Sequence, residues 1–536
     1  MALSIPPLAA GLLIALGIYK FIIHPAFISP LSKIPNAHWS APFSPLWIHN
    51  CRRLERETFV THEAHQRLGP VVRLAPEVLS VNNVDGGIRT IYAGGYEKGD
   101  WYKNVFNNYD IQPMFSMPEH GRHSQRRKML SNVYAKSTLQ NSAGMHAITE
   151  TILNERFIPH LQKLARSGQP AEFYDIFSAV TMDFVTAYVF GLKNSSGFLL
   201  QPNMMRKFFR DYKARQAFQF WPQDVPKFTN FMRSIGLLWM VMPKWVSQAN
   251  NDIENWILSM VDKAEETVSQ AEREGEKGKV EDWPNVYSQL RGALLKDKAS
   301  RGNDRKLSEQ VQSQRLETAS EMLDHSLAGF DTSSITLVFL AWELSLPQNQ
   351  HWQAKLRVEL AAVPDISSAK ALDALPILHA ILMETLRLHA AIPGNQPRIT
   401  PPNATIGPYT SIPANTRVQA QAWSLHREPS VFPSPLIFAP DRWLDAAIHP
   451  DLGTSSAEQL KEMGRWFWAF GSGGRMCVGS NLAMLDMKAI IAGIWKGFET
   501  ELVDGEGMRH KGCYVADPEG TKEGKFCVLK VKKVST

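Results

Sequence analysis

Three features of this 536-residue sequence predict a mainly α-helical fold with small β-sheets behind one N-terminal transmembrane helix. From about residue 119 to residue 345 the pattern is mostly helical, ending in a run from Glu317 to Ser345 that is apolar or small over most of its length. The strand-like runs are short and punctuated by Pro and Gly. The first nineteen residues, Met1 to Tyr19, carry no charged side chain.

The N-terminal element comes first in the chain. Continued through Phe21, Ile22 and Ile23, with Lys20 able to snorkel, it is long enough to cross roughly 30 Å of hydrocarbon. No Lys or Arg precedes it, whereas Lys20, Lys33, Arg52 and Arg53 follow. The bias toward positive charge on the cytosolic side then puts the body in the cytosol. The competing reading, a cleaved signal peptide, wants a basic start and a small-residue cleavage site, and neither is convincing here. With an uncleaved anchor the sequons at Asn194 and Asn403 never meet the lumen. The expected organisation is an anchor over 1–23, a proline-rich neck over 24–50 and a single catalytic body over 51–536. Pro25, Pro30, Pro35, Pro42 and Pro45 stiffen the neck.

Within the body, Cys51 to Leu68 reads as a helix. Gly69 to Pro76 and Val78 to Val81 read as two short strands around a turn. Breaks are expected from Pro222 to Pro226 and over the charged stretch Glu272 to Lys279. Glu317 to Ser345 would be roughly 44 Å long at 1.5 Å per residue, and Pro347 stops it. A second helix is expected from about Ala371 to Ala391, then short strands from Ile399 to Gln419, then a long loop region from Pro429 to Arg475.

Composition narrows the function classes. Hydrophobic residues make up 44% and charged residues 21%, which suits a large core. A net charge of +6 is mild for this length and gives no reason to expect nucleic acid; it suits an anionic membrane surface or an acidic partner protein as well as a generic basic surface. The four cysteines, Cys51, Cys477, Cys513 and Cys527, show no CxxC or Cys/His zinc spacing, and so few fit a reducing compartment.

The most informative stretch is Phe470-Gly-Ser-Gly473-Gly-Arg475-Met-Cys477-Val-Gly479. It sets one cysteine in a glycine-rich loop that opens a run of good helix formers. Glycines let the backbone approach a flat ligand. Free N–H groups at a helix start stabilise a thiolate, and Arg475 supplies charge for an anionic group nearby.

The pattern F-x-x-G-x-R-x-C-x-G resembles the haem-binding loop of the cytochrome P450 monooxygenases. Further segments match that family in order. Ala328-Gly329-Phe330-Asp331-Thr332 resembles the oxygen-activation motif of the central helix, with Thr332 turned inward and Asp331 as proton source. Taken alone it could be a helix break at Gly329 with a cap at Asp331 or Thr332. Glu384 and Arg387 share one helix face and, with Arg442 in Phe438-Ala-Pro440-Asp441-Arg442-Trp443, resemble the E-x-x-R and F-x-P-x-R motifs. The resemblance implies a buried structural network behind the haem. His123 and Arg127 match the W-x-x-x-R segment with His in place of Trp. With Arg398 and Arg475 they are the implied propionate partners. Gly69 to Pro76 and Leu425-His-Arg-Glu-Pro429 look like fungal microsomal members, many of which act in secondary metabolism.

The resemblance implies the P450 fold, with Cys477 as axial ligand to the iron of haem b and Phe470, Gly473, Gly479, Ala328 and Gly329 against the cofactor. It also implies electrons from NADPH through a separate cytochrome P450 reductase, with cytochrome b5 as a further donor, and residence in the endoplasmic reticulum membrane as a single-pass protein facing the cytosol. The expected reaction is oxidation of a hydrophobic small molecule such as a terpenoid or polyketide. A P450-like isomerase or dehydratase that does not use O2, and a membrane-tethered haem-binding non-enzyme, are the alternatives. The expected pocket segments, Met114 to Met117, Phe208 to Trp221, Leu237 to Pro243, Leu323 to Phe330 and Ala390 to Asn395, are largely apolar and aromatic, which core or membrane-contacting surface would also explain.

Overall fold

The computed structural model of the chain describes residues 5–300, 307–520 and 526–534. The N-terminal helix Ile5–Ile18 continues helically over Tyr19–Ile28, passing through Pro25. Ala9–Ile28 is 20 residues long, none of it buried against the body, and apolar and long enough to span a bilayer. Two other helices meet the same criterion, but Phe173–Phe190 and Gln314–Ser345 are mostly buried inside the body.

The proline-punctuated segment after the anchor packs on the body. Leu31 and Ile34 join a core with Val71, Leu79 and Ile412. Buried Arg73 holds the segment: its Nη1 donates to the Pro25 carbonyl at 2.8 Å, and its backbone bonds Pro35 and Ala37 on either side of the chain turn.

Four short strands form the sheet beside it. Val71–Ala75 pairs antiparallel with Val78–Val81, which pairs parallel with Arg417–Gln419, which pairs antiparallel with Arg398–Ile399. A three-stranded antiparallel sheet joins Ala171–Glu172, Val528–Lys533 and Phe498–Asp504. Two two-stranded antiparallel sheets pair Ala404–Ile406 with Tyr409–Ile412 and Arg509–His510 with Pro518–Glu519, and most of the remaining regular structure is helical.

The central helix spans Leu307–Ser345 and packs along Phe173–Phe190 in the main core. It begins ten residues before the expected start, because Leu307 to Glu317 is too polar to carry an apolar stripe yet rich in helix formers. The helix expected over Cys51 to Leu68 is two, Leu46–Arg53 and Glu57–Leu68, separated at Glu55, whose φ of 54° is left-handed. The helix expected from Ala371 to Ala391 is shorter, Pro376–Leu388, after a separate turn Ala369–Asp373. Pro376 sits in its first turn, where its missing N–H costs nothing. Lys244–Glu274 runs into the expected charged loop and ends at Gly275, whose φ of 76° caps the helix.

Candidate functional site

A buried helix that is accessible along one stripe marks a cleft. From Thr318 to Ala341 every residue of the central helix is buried except Asp324, Ala328, Gly329 and Thr332. The spacing i, i+4, i+5, i+8 places them on one side of the helix. Cys477 is accessible too, and its sulfur feels the charges of Arg127 and Asp324, so the loop and the stripe share one space.

The loop is built to present that sulfur. The Cys477 amide donates to the Phe470 carbonyl at 3.0 Å, closing the glycine turn. Gly473 has φ 71°, and a Cβ there would lie 2.2 Å from the Tyr92 carbonyl oxygen, so only glycine fits. Gly479 has an ordinary φ of −86° and open space around it. Its contribution is its amide. Burial pushes the Cys477 thiol up, while the Gly479 and Ser480 amides and the Arg127 guanidinium favour the thiolate. Helix Ser480–Trp495 starts three residues after the cysteine and carries those donors.

Behind the loop, the expected network is present and fully buried. Glu384 takes two bonds of 2.8 Å from Arg387 and one of 3.1 Å from Arg442 Nε. Trp443 Nε1 and the Ala439 amide each donate to Glu384 at 2.9 Å. Two cations and two further donors offset the cost of burying one carboxylate. Arg387 also donates to the carbonyls of His426, Pro435 and Ile437.

The link from this network to the cysteine loop is His426, within Leu425-His-Arg-Glu-Pro429, where no local pattern in the sequence marks it. Its Nδ1–H donates to the Arg387 carbonyl at 2.8 Å, and its Nε2 accepts the Trp468 amide at 2.7 Å, two residues before Phe470. Burial, with Arg387 and Arg427 nearby, lowers its pKa to about 3, which keeps Nε2 an acceptor.

A cluster of cationic side chains lies on the other side of the loop. Arg475 donates to the Met117 and Pro118 carbonyls at 2.6 and 2.7 Å, and Arg127 to the Met476 carbonyl at 2.7 Å. Arg398 donates to Tyr102 Oη at 3.1 Å. His123 is buried, and burial followed by Arg475, Lys98 and Arg127 drives its pKa to about 3. Lys98, which sequence reasoning missed, is buried with its ammonium over the rings of Phe115 and Tyr102, at 3.8 and 4.1 Å from their centroids. Burial and the charges of Arg398 and Arg475 push its pKa well down. Among the described residues, no carboxylate forms an ion pair with Lys98, Arg127, Arg398 or Arg475. So many cations held together call for an external anion, and the two propionates of a haem fit that need.

Two expectations for the central helix change. Asp331 does not share the cleft with Thr332. It is buried on the opposite side, accepting from Lys213, from Tyr212 Oη at 3.0 Å and from Gln216 at 3.3 Å, while Lys213 also pairs with Asp517. Adjacent helical residues point about 100° apart, which separates the two side chains. Gly329 was expected to leave backbone bare beside a ligand. In the structure a Cβ there would meet Val185 Cγ2 at 2.7 Å, so the glycine lets Phe173–Phe190 pack close. Thr332 does line the cleft, its hydroxyl bonded to the Ala328 carbonyl at 2.8 Å. Of the expected pocket segments, Met114 and Met117 are buried near the cations, Phe209 and Tyr212 pack on Phe330, and Trp239 and Met240 lie on the outer surface.

The model of the cytochrome P450 family matches residues 43–518. The chain belongs to the cytochrome P450 family. Cytochrome P450 monooxygenase avaI of Aspergillus versicolor is 27% identical over 431 residues, covering 79% of this chain and 93% of that protein. Cytochrome P450 monooxygenase mfmF of Annulohypoxylon moriforme is 26% identical, covering 94% of each. Tryprostatin B 6-hydroxylase of Aspergillus fumigatus is 25% identical, covering 92% of this chain and 79% of that protein. This P450 is accordingly a monooxygenase, similar to P450 monooxygenases of fungi, and its family implies a haem and electrons supplied by a reductase.

Proposed function

We propose that this P450 hydroxylates or otherwise oxidises an apolar small molecule of fungal secondary metabolism, such as a terpenoid or polyketide, at a haem b ligated by Cys477. The observation that carries the proposal is the accessible Cys477 sharing one space with the stripe Asp324, Ala328, Gly329 and Thr332 of an otherwise buried helix. The electron source is NADPH through a separate membrane reductase, with cytochrome b5 as a further donor, and an acidic docking face on that partner would suit the net charge of +6.

Bound haem supplies the redox chemistry, activating O2 with two electrons and transferring one oxygen atom to substrate. The chain's own residues do the rest. The Gly479 and Ser480 amides and Arg127 favour the thiolate of Cys477 against burial, which pushes the thiol up, and ligation to the iron would complete its deprotonation. Arg398, Arg475, Arg127, His123 and Lys98 would hold the propionates. Glu384, Arg387 and Arg442, through His426, fix the position of the loop. Thr332 Oγ1, in the cleft, would pass protons toward the reacting atoms; Asp331, on another side of the helix, would have to turn away from Lys213, which keeps Asp517 as a partner, and take up a proton from solvent before supplying one. The buried apolar walls exclude water from the reacting atoms.

The membrane reading puts the body on the cytosolic side of the endoplasmic reticulum. Trp39, Leu46, Phe231, Trp239 and Met240 are all more than half exposed, an unusual set for a soluble face. The Arg52–Asp224 bond of 3.1 Å ties the segment after the neck to the helices preceding Phe231. These exposed apolar side chains suit contact with lipid. Reconstitution of the full chain with reductase in phospholipid vesicles tests the function: NADPH- and O2-dependent product from an apolar metabolite panel is expected. A product that forms equally well without O2 would contradict it.

A further inference from the structure

The accessible stripe of the central helix carries one charge, Asp324. We propose that Asp324 is the recognition group for a protonated amine on the substrate, so that the preferred substrates are apolar or aromatic molecules bearing one basic nitrogen. The proposal rests on the monooxygenase reading and narrows its substrate class.

Asp324 lies on the same accessible stripe as Ala328 and Thr332, and its charge is felt at Cys477, at Tyr134 and at Tyr514. It therefore faces the reaction space. The neighbouring acid, Glu321, is committed elsewhere: Arg126 and the Met114 amide bond it. His325 is bonded to Tyr134 Oη at 2.8 Å. Among the described residues Asp324 accepts no hydrogen bond and forms no ion pair. Lys98 is near enough to bear on it electrostatically, but its ammonium is directed to the Phe115 carbonyl and the adjoining rings.

A carboxylate partly withdrawn from water into a cleft without a partner is costly, and a cationic ligand removes that cost. Burial and Glu321 hold its pKa near 7, against the pull of His325 and Lys98, consistent with a group that lacks a counter-ion. A metal ion is a poor alternative, since no set of three ligating side chains occurs among the described residues. The wall beside it is aromatic: Tyr514 packs against Trp101 and Phe106, with centroids 5.2 and 6.1 Å away. Such faces favour an apolar body and tolerate a cation. Asp324 and Thr332 are two turns apart, roughly 12 Å along the axis at 1.5 Å per residue. Oxidation is therefore expected several bonds away from the nitrogen.

The test uses the full-length haem-loaded enzyme in phosphatidylcholine vesicles. The probes are 4-phenylbutyl-trimethylammonium, which cannot ligate iron, and its neutral isostere with carbon in place of nitrogen. Binding is read from the perturbation of the haem absorption band. The cation is expected to bind tenfold or more tightly than the isostere. In Asp324→Asn that preference should vanish with haem content and the reduced, CO-bound spectrum unchanged, and in Asp324→Glu it should largely persist. Equal binding of the two probes to the unmodified enzyme would overturn the proposal, and this comparison decides even if the Asn variant misfolds. So would an Asn variant that keeps the preference but loses haem, which would make Asp324 a counter-ion to Lys98. An unmodified enzyme without a thiolate-type CO spectrum would instead sink the monooxygenase reading itself.

Discussion

His426 Nε2 accepts the backbone N–H of Trp468 at 2.7 Å while its Nδ1–H donates to the carbonyl of Arg387. One neutral imidazole thus joins the buried Glu384–Arg387–Arg442 network to the segment that leads into Cys477. Only the tautomer with Nδ1 protonated makes both bonds, and protonating Nε2 breaks the one to Trp468.

A pH dependence follows from that arrangement. The pKa of His426 falls from 6.5 to about 3 on folding, because burial comes first and Arg387 and Arg427 add to it. Between those values the unfolded chain binds a proton that the folded chain refuses. The stability this represents is whole above pH 6.5 and is lost as pH falls toward 3, by about 1.4 kcal/mol per pH unit for one group. His62, His65 and His379, each lowered to about 4, act with the same sign. Thermal unfolding between pH 5 and 8 should show midpoints falling below pH 6.5. His426→Asn should lower the midpoint at pH 7, through about 1–2 kcal/mol of lost hydrogen bonding, and flatten the acid slope. An unchanged slope would show that His426 does not titrate with unfolding.

Glu384→Gln leaves Arg387 and Arg442 buried without their counter-charge. Breaking a buried pair from one side costs about 3–5 kcal/mol. The variant should express with little haem and unfold at much lower denaturant concentration. Haem content per chain and urea titration check this; full haem loading would mean that the network is not what fixes the loop.

The proton path separates Thr332 from Asp331. Thr332→Ala removes the hydroxyl in the cleft and Asp331→Asn removes the acid behind it. Each should reduce product formed per NADPH consumed, with turnover falling on the order of 10²-fold for loss of a general acid. NADPH oxidation should continue, since neither residue holds the cofactor. A normal product-to-NADPH ratio in Asp331→Asn would show that its role ends at Lys213 and Tyr212.

Gly329→Ala should destabilise by about 1–3 kcal/mol, the usual cost of overpacking, because the new methyl meets Val185. Val185→Ala should rescue the midpoint in the double variant. If the glycine mattered through the ligand instead, Val185→Ala would not restore stability and substrate binding would change.

Sequence made part of this legible. Cys477, Glu384, Arg387 and Arg442 stood out because a thiolate loop and a buried carboxylate with two guanidiniums need fixed residue types at close spacing. The long central helix was visible through its apolar run, but its start at Leu307 was not, since polar helical turns leave no stripe. Asp331 and Thr332 are adjacent in sequence yet face different partners, and only the position of Lys213 on Pro202–Gln216 reveals it. Lys98, His426 and Asp324 carried no local signal. Each matters through neighbours distant in sequence: Arg398 and Arg475 for Lys98, Trp468 for His426, and Cys477 for Asp324.

The most direct test of the central claim is the absorption spectrum of the reduced, CO-bound protein in membranes, measured beside Cys477→Ser. A strongly red-shifted band that the serine variant lacks is the predicted result, and it would place Cys477 on the iron. A haem spectrum without that band, or one unchanged in the variant, would contradict the haem-thiolate assignment and the oxidation chemistry built on it.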